Sequence, residues 1–134
     1  MKKKICVDMS CSIIHHGHIR ILKKASKFGQ VVVALTSDSE IKKHKKIIPE
    51  LNFLQRKEIL ESIKYVYKVV KCGFYITENF LKKHKLDLLV HGTDNFNKIP
   101  KKKLLIFSRT SNISSTDIRF TSYKNIKKFL KKKK

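Results

Sequence analysis

The sequence predicts an α/β fold: a three-layer sandwich in which helices cover both faces of a five-stranded parallel sheet. Five short apolar runs rich in β-branched residues recur along the chain, and helical or polar segments separate them. The run at residues 31–36 is apolar throughout, as expected for a strand that is buried on both faces of a parallel sheet. The length of 134 residues fits one domain, residues 1–134.

The strands follow from these apolar runs. The first strand begins at Ile5 and leads through small residues to a helix in which Ile19, Leu22 and Ala25 share one face. Gly29 is expected to end this helix in a left-handed conformation. The other strands are predicted at residues 31–36, 65–70, 86–90 and 104–107. The repeated strand–helix–strand order indicates a Rossmann-like sheet.

The segments between the strands are predicted from turn residues and periodicity. Residues 37–40 form a turn and a possible cap, and the lysine-rich residues 41–49 are expected to form a mobile basic loop. An amphipathic helix at residues 52–64 begins at Asn52, a plausible cap. The remaining segments are a short helix at 77–84 with Thr77 as a possible cap, a polar linker at 97–103, and a basic helix or frayed tail at about 123–134.

Composition narrows the function classes. No apolar run approaches the roughly 20 residues that span a bilayer, and the apolar run near Met1 is too short for a secretory signal. We therefore expect a cytoplasmic protein without a membrane partner. The cysteines, Cys6, Cys11 and Cys72, are odd in number and far apart, which argues against a disulfide framework. Cys6 and Cys72 are expected in the core.

The formal charge of +22 raises the possibility of nucleic-acid binding. Nearly all of this charge is lysine spread along the chain, and the arginines are only Arg20, Arg56, Arg109 and Arg119. Surfaces that read bases or stack on them use arginine and exposed aromatic residues. We therefore expect only non-specific contact with nucleic acid.

A first motif, His15-His16-Gly17-His18, stands between the first strand and the first helix. A helix N-terminus presents unpaired N–H groups and a positive dipole end, which together bind phosphate. Gly17 lets a ligand approach the backbone, and His15 and His18 can each direct a ring N–H to a phosphate oxygen. The alternative is that one histidine caps the helix and the others are merely exposed.

Two further motifs follow the fourth and fifth strands. His91-Gly92-Thr93-Asp94 lies where the fourth strand ends, so it should face the same edge of the sheet as the first motif. The segment 108–119 contains Arg109-Thr110 and Ile113-Ser114-Ser115-Thr116, with hydroxyls and N–H groups at a helix start. A capped turn alone explains Ser114 to Thr116, but not the arginine and threonine upstream.

Together these motifs resemble the HxGH nucleotidyltransferase superfamily, and within it the cytidylyltransferases, whose second motif is Arg-Thr-x-Gly-Ile-Ser-[Ser/Thr]-Thr. The resemblance covers nearly the whole chain. It implies transfer of CMP from CTP to a small phosphonate or phosphorylated alcohol, with Mg²⁺ accompanying CTP and no protein metal site. It also implies a homodimer. Met9-Ser10 and the motifs above look most like the cytidylyltransferases that work with phosphoenolpyruvate mutase on phosphonates.

The resemblance also implies roles for individual residues. The catalytic set would be His15, His18, Lys46 and Arg109, with Lys45 left open as the alternative to Lys46. The acceptor would be held by Arg56 and Lys64, although Arg56 could instead pair with a glutamate. The nucleotide would contact Met9, Ser10, Gly17, His91, Gly92, Asp94, Thr110, Ile113, Ser114, Ser115 and Thr116. Asp94 would contact the base or its amino group, or else cap the next turn.

Three departures from the family pattern keep other functions open. Met9 and Ser12 replace the usual glycine and aspartate, and Asn112 replaces a glycine, which is tolerable if its φ is positive. Ile-Ser-Ser-Thr-x-Ile-Arg also resembles the adenylyltransferase motif, in which the final arginine, here Arg119, binds phosphate. The alternatives are therefore an adenylyltransferase that uses ATP, or a degenerate protein that binds a nucleotide or RNA without chemistry.

Overall fold

The computed structural model describes residues 2–133. Its strands are β1 (Lys4–Met9), β2 (Gln30–Thr36), β3 (Val66–Cys72), β4 (Leu88–His91) and β5 (Leu104–Ile106). They form one sheet in the order β3-β2-β1-β4-β5, and every neighbouring pair is parallel. The five-stranded parallel sheet predicted from the sequence is therefore confirmed.

Helices cover both faces of this sheet. They are α1 (His16–Ser26), α2 (Asp38–Lys45), α3 (Phe53–Glu61), α4 (Glu78–Lys83) and α5 (Ser115–Lys132), and a short 3₁₀ turn spans Lys101–Lys103. Between residues 2 and 133, every helix is too short or too polar to cross a bilayer.

The alternation of side chains along the strands produces two cores. In β1, Ile5 and Val7 point to one face, where they pack with Leu22 of α1 and Leu60 of α3. Cys6 points to the other face, where its cluster includes Leu81 of α4. All three cysteines are buried free thiols, as expected of Cys6 and Cys72. The layers are thus helix, sheet and helix.

Local signals for the helix starts were correct, but the loop predicted at residues 41–49 is irregular only at residues 46–49. Asn52 and Thr77 cap α3 and α4 as predicted, each accepting a backbone N–H of the first turn. The helix α2 instead occupies residues 38–45, because Ser37 caps the N–H of Glu40 and Ile41 is fully buried. Its lysines lie in the last turn, where positive charge stabilises a helix end.

Gly29 follows α1 but does not adopt the left-handed conformation expected of it, since no glycine in residues 2–133 has a positive φ. Its role is spatial. A Cβ at this position would lie 2.2 Å from the carbonyl oxygen of Lys3, where the chain turns into β2 beside the start of β1. Glycine is required because two backbone segments meet closely there.

The strand order places a crevice at the carboxyl edge of the sheet. The chain builds β1, β2 and β3 in one direction and then returns to add β4 on the other side of β1. The connections that leave β1 and β4 therefore run in different directions and leave a crevice between them. Ligands bind in this crevice in doubly wound sheets.

Candidate active site

A cavity of about 700 Å³ opens at this crevice. Its walls are the segments that follow β1, β4 and β5, together with the first turns of α1 and α5. The structure brings most of the predicted site residues to it: Met9, Ser10, His15, Gly17, His18, His91, Gly92, Asp94, Arg109, Thr110, Ile113, Ser114, Ser115 and Thr116.

The two most distant motifs are joined directly. The Ser115 hydroxyl donates to the carbonyl oxygen of Ile13 at 3.1 Å, and its oxygen accepts the Ile13 N–H at 3.4 Å. A Cβ on Gly17 would lie 3.4 Å from the Ile113 side chain, so the turns also pack against each other. Asn112 has a φ of 62°, the positive value that its replacement of glycine requires. The starts of α1 and α5 thus form one wall of the cavity.

The two histidines cap α1 and line the cavity at the same time. The Nδ1 atom of His15 accepts the Gly17 N–H at 3.1 Å, and the Nδ1 atom of His18 accepts the His15 N–H at 3.2 Å. This is a capping box built from histidines. Because both Nδ1 atoms accept, each neutral ring carries its proton on Nε2. The capping role therefore fixes the tautomer that leaves an Nε2–H donor for a ligand.

Burial and nearby positive charge keep these rings neutral. The pKa of His18 is lowered to about 4, first by burial and then by the nearby His15, Lys45 and Arg109. Burial and the neighbouring His16 also lower the pKa of His15. Each neutral ring can donate from Nε2–H to a phosphate oxygen while its Nδ1 continues to cap the helix.

Five cationic side chains among the described residues line the cavity: Arg20, Lys24, Lys45, Arg109 and Arg119. Three of them, Lys45, Arg109 and Arg119, act on one another electrostatically. The pKa of the Lys45 ammonium is lowered, first by partial desolvation and then by the charges of Arg119 and Arg109. Mutual repulsion of this kind shows that the three positive groups share one region. Such a cluster is suited to a ligand with several negative charges.

A chain of alternating charges closes the other side of the cavity. His91 binds Asp8 at 2.7 Å through Nδ1, its Nε2 lies 3.8 Å from Asp94, and Asp94 binds Arg109 at 2.5 Å. Burial alone would lower the pKa of His91, but the hydrogen bond and charge of Asp8, with the charge of Asp94, raise it. Gly92 leaves room for this chain, because a Cβ there would lie 3.0 Å from Asp94 and 3.2 Å from Arg109.

Lys46 is not brought to the cavity. It follows the last turn of α2 in a left-handed conformation with a φ of 60°, and its side chain is exposed away from the lining. Lys45, the neighbour that the sequence left open, lines the cavity instead. The one-residue difference arises because Lys45 is the last residue of α2, whereas Lys46 leaves the helix in a left-handed conformation that redirects its side chain.

Arg56 is also placed differently from its predicted acceptor role. The side chain is fully buried and donates to the carbonyl oxygens of Ser10, Thr36 and Leu51 at 2.8, 3.0 and 3.0 Å. It also pairs with Asp38 at 2.5 Å, rather than with a glutamate of its own helix. Its donors are thereby engaged in holding the ends of β1 and β2, and it does not line the cavity.

Lys64 lies at the opposite edge of the sheet. It precedes the amino end of β3, whereas the cavity is at the carboxyl ends of the strands. Its ammonium lies 5.2 Å from the centre of the Tyr65 ring. The structure therefore separates Lys64 from the other site residues.

Several lining residues were missed or left out of the predicted site. Arg119 was recognised only in the adenylyltransferase resemblance, and it pairs with Glu50 through two contacts of 2.6 Å. Asp8 lies inside a strand, where a carboxylate could be an ordinary surface residue. Four phenylalanine and tyrosine side chains line the cavity although no site motif includes them: Phe74, Tyr75, Phe96 and Phe107.

The model of the cytidylyltransferase-like family matches residues 11–120, a range that contains both helix starts of the cavity. The chain belongs to this family. The family assigned by resemblance to the sequence motifs is thereby confirmed.

Several named proteins are similar to much of the chain. It is 31% identical to glycerol-3-phosphate cytidylyltransferase of Staphylococcus aureus over 90% of this chain and 96% of that protein. Ethanolamine-phosphate cytidylyltransferase of Mus musculus is 36% identical over 66% of this chain, which corresponds to 21% of that longer protein. FAD synthase of Pyrococcus horikoshii is 33% identical over 69% of this chain and 64% of that protein.

The fold also matches a solved structure. The lipopolysaccharide core biosynthesis protein from Thermoplasma volcanium superposes with a TM-score of 0.70 over 83% of this chain and 100% of that chain. At 20% identity, this likeness supports the Rossmann-like fold alone.

Proposed function

We propose that this protein transfers CMP from CTP to a small phosphorylated alcohol and releases pyrophosphate. The observation that carries the proposal is the junction of Ser115 with Ile13, which seats both anion-binding helix starts in one cationic cavity. Relatives named as cytidylyltransferases for glycerol 3-phosphate and ethanolamine phosphate support this acceptor class. A phosphonate, which the motif details suggest, presents the same anionic oxygen.

The reaction requires little proton transfer. An oxygen of the acceptor's phosphate attacks the α-phosphorus of CTP in line, the new P–O bond forms, and the bond to the departing pyrophosphate breaks. The attacking oxygen is already an anion at neutral pH, so no strong general base is needed. The protein's contribution is therefore positioning and neutralisation of charge.

The residues divide this work by position. The Nε2–H groups of His15 and His18 donate to the α-phosphate and to the oxygen that departs, where negative charge grows. Lys45 and Arg109 neutralise the triphosphate. Arg56 and Lys64 lie elsewhere, so we assign the acceptor's anion to Arg119, the cavity cation that acts on Lys45 together with Arg109.

We also propose the accompanying features that the resemblance implies. Mg²⁺ would accompany CTP and help to neutralise its phosphates, held by phosphate oxygens and water. Within residues 2–133, no group of three or more histidine, cysteine, aspartate or glutamate side chains could hold a metal ion. A homodimer and a cytoplasmic location stay predictions, which light scattering and cell fractionation would test.

Pyrophosphate release measured with CTP and a panel of acceptors tests the proposal. The panel contains glycerol 3-phosphate, ethanolamine phosphate and aminoethylphosphonate. Turnover with one of these is expected to fall about 100- to 1000-fold in His18→Ala and in Lys45→Ala. Lys46→Ala is the matched control, and it should retain activity within about threefold, the range of an exposed charge outside the site. Absence of turnover with every acceptor, or normal turnover by His18→Ala, would refute the mechanism.

An adenylyltransferase is the second candidate, favoured by Arg119 in the cavity and by the FAD synthase relative. The Asp94 carboxylate can accept from the exocyclic amino group of either cytosine or adenine, so it does not discriminate between them. Comparison of thermal stabilisation by CTP and by ATP separates the two. Stabilisation by ATP alone would favour the adenylyl reaction.

A binding protein without chemistry is the remaining alternative, suggested by Met9 and Ser12. Both residues line the cavity, and Ser12 is almost fully buried. Stabilisation by CTP without pyrophosphate release from any acceptor would support this alternative. Salt-dependent binding of RNA without turnover would support an RNA-binding role.

A further inference from the structure

The second half of α5 exposes a row of large apolar side chains. Tyr123, Ile126, Phe129 and Leu130 are 62%, 59%, 57% and 57% exposed, although side chains of this kind are usually buried. Their spacing of three and four residues places them along one side of the helix. We call these four residues the apolar face of α5.

Lysines occupy the opposite side of the same helix. Lys124, Lys128 and Lys131 recur at the same spacing and are exposed. Lys127 borders the apolar face, with its ammonium 6.0 Å from the centre of the Tyr123 ring. Lys133 lies at the C-terminal end of the face, with its ammonium 4.9 Å from the centre of the Phe129 ring. The helix therefore has an apolar face with a cationic border.

We infer that the apolar face of α5 docks on an anionic lipid surface. A helix with aromatic and aliphatic residues on one side and lysines on the other lies in the plane of a bilayer interface, with its apolar side chains among the acyl chains. The long lysine side chains at the border can reach the headgroups while their methylene groups stay apolar. This mode needs no spanning helix, so it is compatible with the polar character of α5.

Charge argues against a second copy as the occupant of this face. The chain carries a formal charge of +22, and pairing two apolar faces would bring their lysine borders together. Like charges at close range oppose association, whereas an anionic surface attracts each of them. The aliphatic side chains of Ile126 and Leu130 favour acyl chains over RNA as the occupant, because bases stack on aromatic rings.

The position of α5 connects this surface to the cavity. Ser114, Ser115 and Arg119 at its start line the cavity, whereas the apolar face begins at Tyr123. At 1.5 Å per residue, the distance along the helix from Ser115 to Ile126 is roughly 16 Å. Docking would therefore hold the cavity near the bilayer without covering it. This inference concerns a surface outside the proposed catalytic groups and can fail independently of them.

Sedimentation of the full chain with vesicles tests the inference. The vesicles are phosphatidylcholine alone or an equimolar mixture of phosphatidylcholine and phosphatidylglycerol. We expect binding to the anionic vesicles at least about tenfold tighter than to the neutral ones. The double variant Ile126→Asn/Leu130→Asn, whose charge is unchanged, should bind the anionic vesicles about tenfold or more weakly. Equal binding by variant and wild type would show general attraction of a basic protein and overturn the proposal.

The chain offers a matched control and an independent reporter. Ile48 and Leu54 are 76% and 71% exposed outside α5, so Ile48→Asn/Leu54→Asn makes the same substitutions at other sites and should bind like wild type. The sequence has no tryptophan, so Tyr123→Trp supplies a single fluorophore. Its emission should shift to shorter wavelength with anionic vesicles and stay unchanged with neutral ones. Absence of that shift would overturn the proposal without relying on the double variant.

Two further outcomes would assign the face to another occupant. Light scattering could show that Ile126→Asn/Leu130→Asn converts a dimer to a monomer while vesicle binding persists, which would assign it to a second copy. Fluorescence anisotropy with single-stranded RNA could show that the variant loses RNA binding while wild type ignores vesicles, which would assign it to RNA. Either result would overturn the lipid proposal.

Discussion

Replacing His18 with glutamine should make the protein more resistant to mild acid. In the folded state the Nδ1 atom of His18 accepts the His15 N–H, and the pKa of His18 is lowered to about 4. An unfolded histidine titrates near a pKa of about 6.5. Between these values the unfolded chain binds a proton that the folded chain does not. The free energy of unfolding therefore falls as the pH falls through this window.

The size of the effect follows from the difference between the two pKa values. A shift of roughly 2.5 units corresponds to about 3 kcal/mol of stability lost by about pH 4, of which about 2 kcal/mol is lost by about pH 5. Glutamine does not titrate, and it is a common third residue of a capping box. Its side-chain oxygen can accept the same His15 N–H, so the helix start should persist.

Urea unfolding at a series of pH values measures this difference directly. We compare how far the free energy of unfolding falls between neutral pH and about pH 5 in the two proteins. This fall should be about 2 kcal/mol larger in wild type than in His18→Gln. Carboxylates that titrate in both proteins cancel in the comparison. His16→Gln, a substitution of the exposed neighbour, is the control. Stability curves for wild type and His18→Gln that run parallel with pH would refute the reasoning.

Three other predictions test the supporting structure. Arg56→Met should lower the free energy of unfolding measured in urea by about 3–5 kcal/mol, because buried carbonyls and Asp38 lose their partner. A raised KM for the acceptor with unchanged stability would contradict this. Asp8→Asn should lower the pKa of His91 in an NMR titration, because its raised pKa depends on that carboxylate, and an unmoved titration would contradict the pairing. Gly29→Ala should reduce stability by roughly 1–3 kcal/mol in thermal unfolding, and an unchanged melting temperature would contradict the predicted backbone clash.

The sheet and the meeting of the motifs could be predicted from the sequence for a simple physical reason. Continuous β-branched runs indicate buried parallel strands, and the carboxyl ends of such strands meet at one edge. His15, His91 and Arg109 all follow strands, so their convergence follows from the strand assignments. The positive φ of Asn112 could also be anticipated, because it replaces a glycine of the family motif.

The cation assignments could not be predicted in the same way, because they depend on side-chain direction and distant partners. Choosing Lys45 over Lys46 required knowing that residues 38–45 form a helix, which Ser37 and the buried Ile41 decide. Arg56 on an amphipathic helix resembles any exposed arginine. Its burial depends on Asp38 and on strand-end carbonyls far away in the sequence, and no local pattern encodes these partners.

Two arginines of the cavity lining pair with carboxylates of the chain itself: Arg109 pairs with Asp94, and Arg119 pairs with both oxygens of Glu50. An incoming anion must displace these internal counterions. A chloride ion replaces them poorly, because it has a single charge and no pair of oxygens to accept from a guanidinium. In the proposed reaction the triphosphate would replace Asp94 on Arg109, and the acceptor's phosphate would replace Glu50 on Arg119. Both carboxylates would then compete with substrate, and only anions with several oxygens would release them.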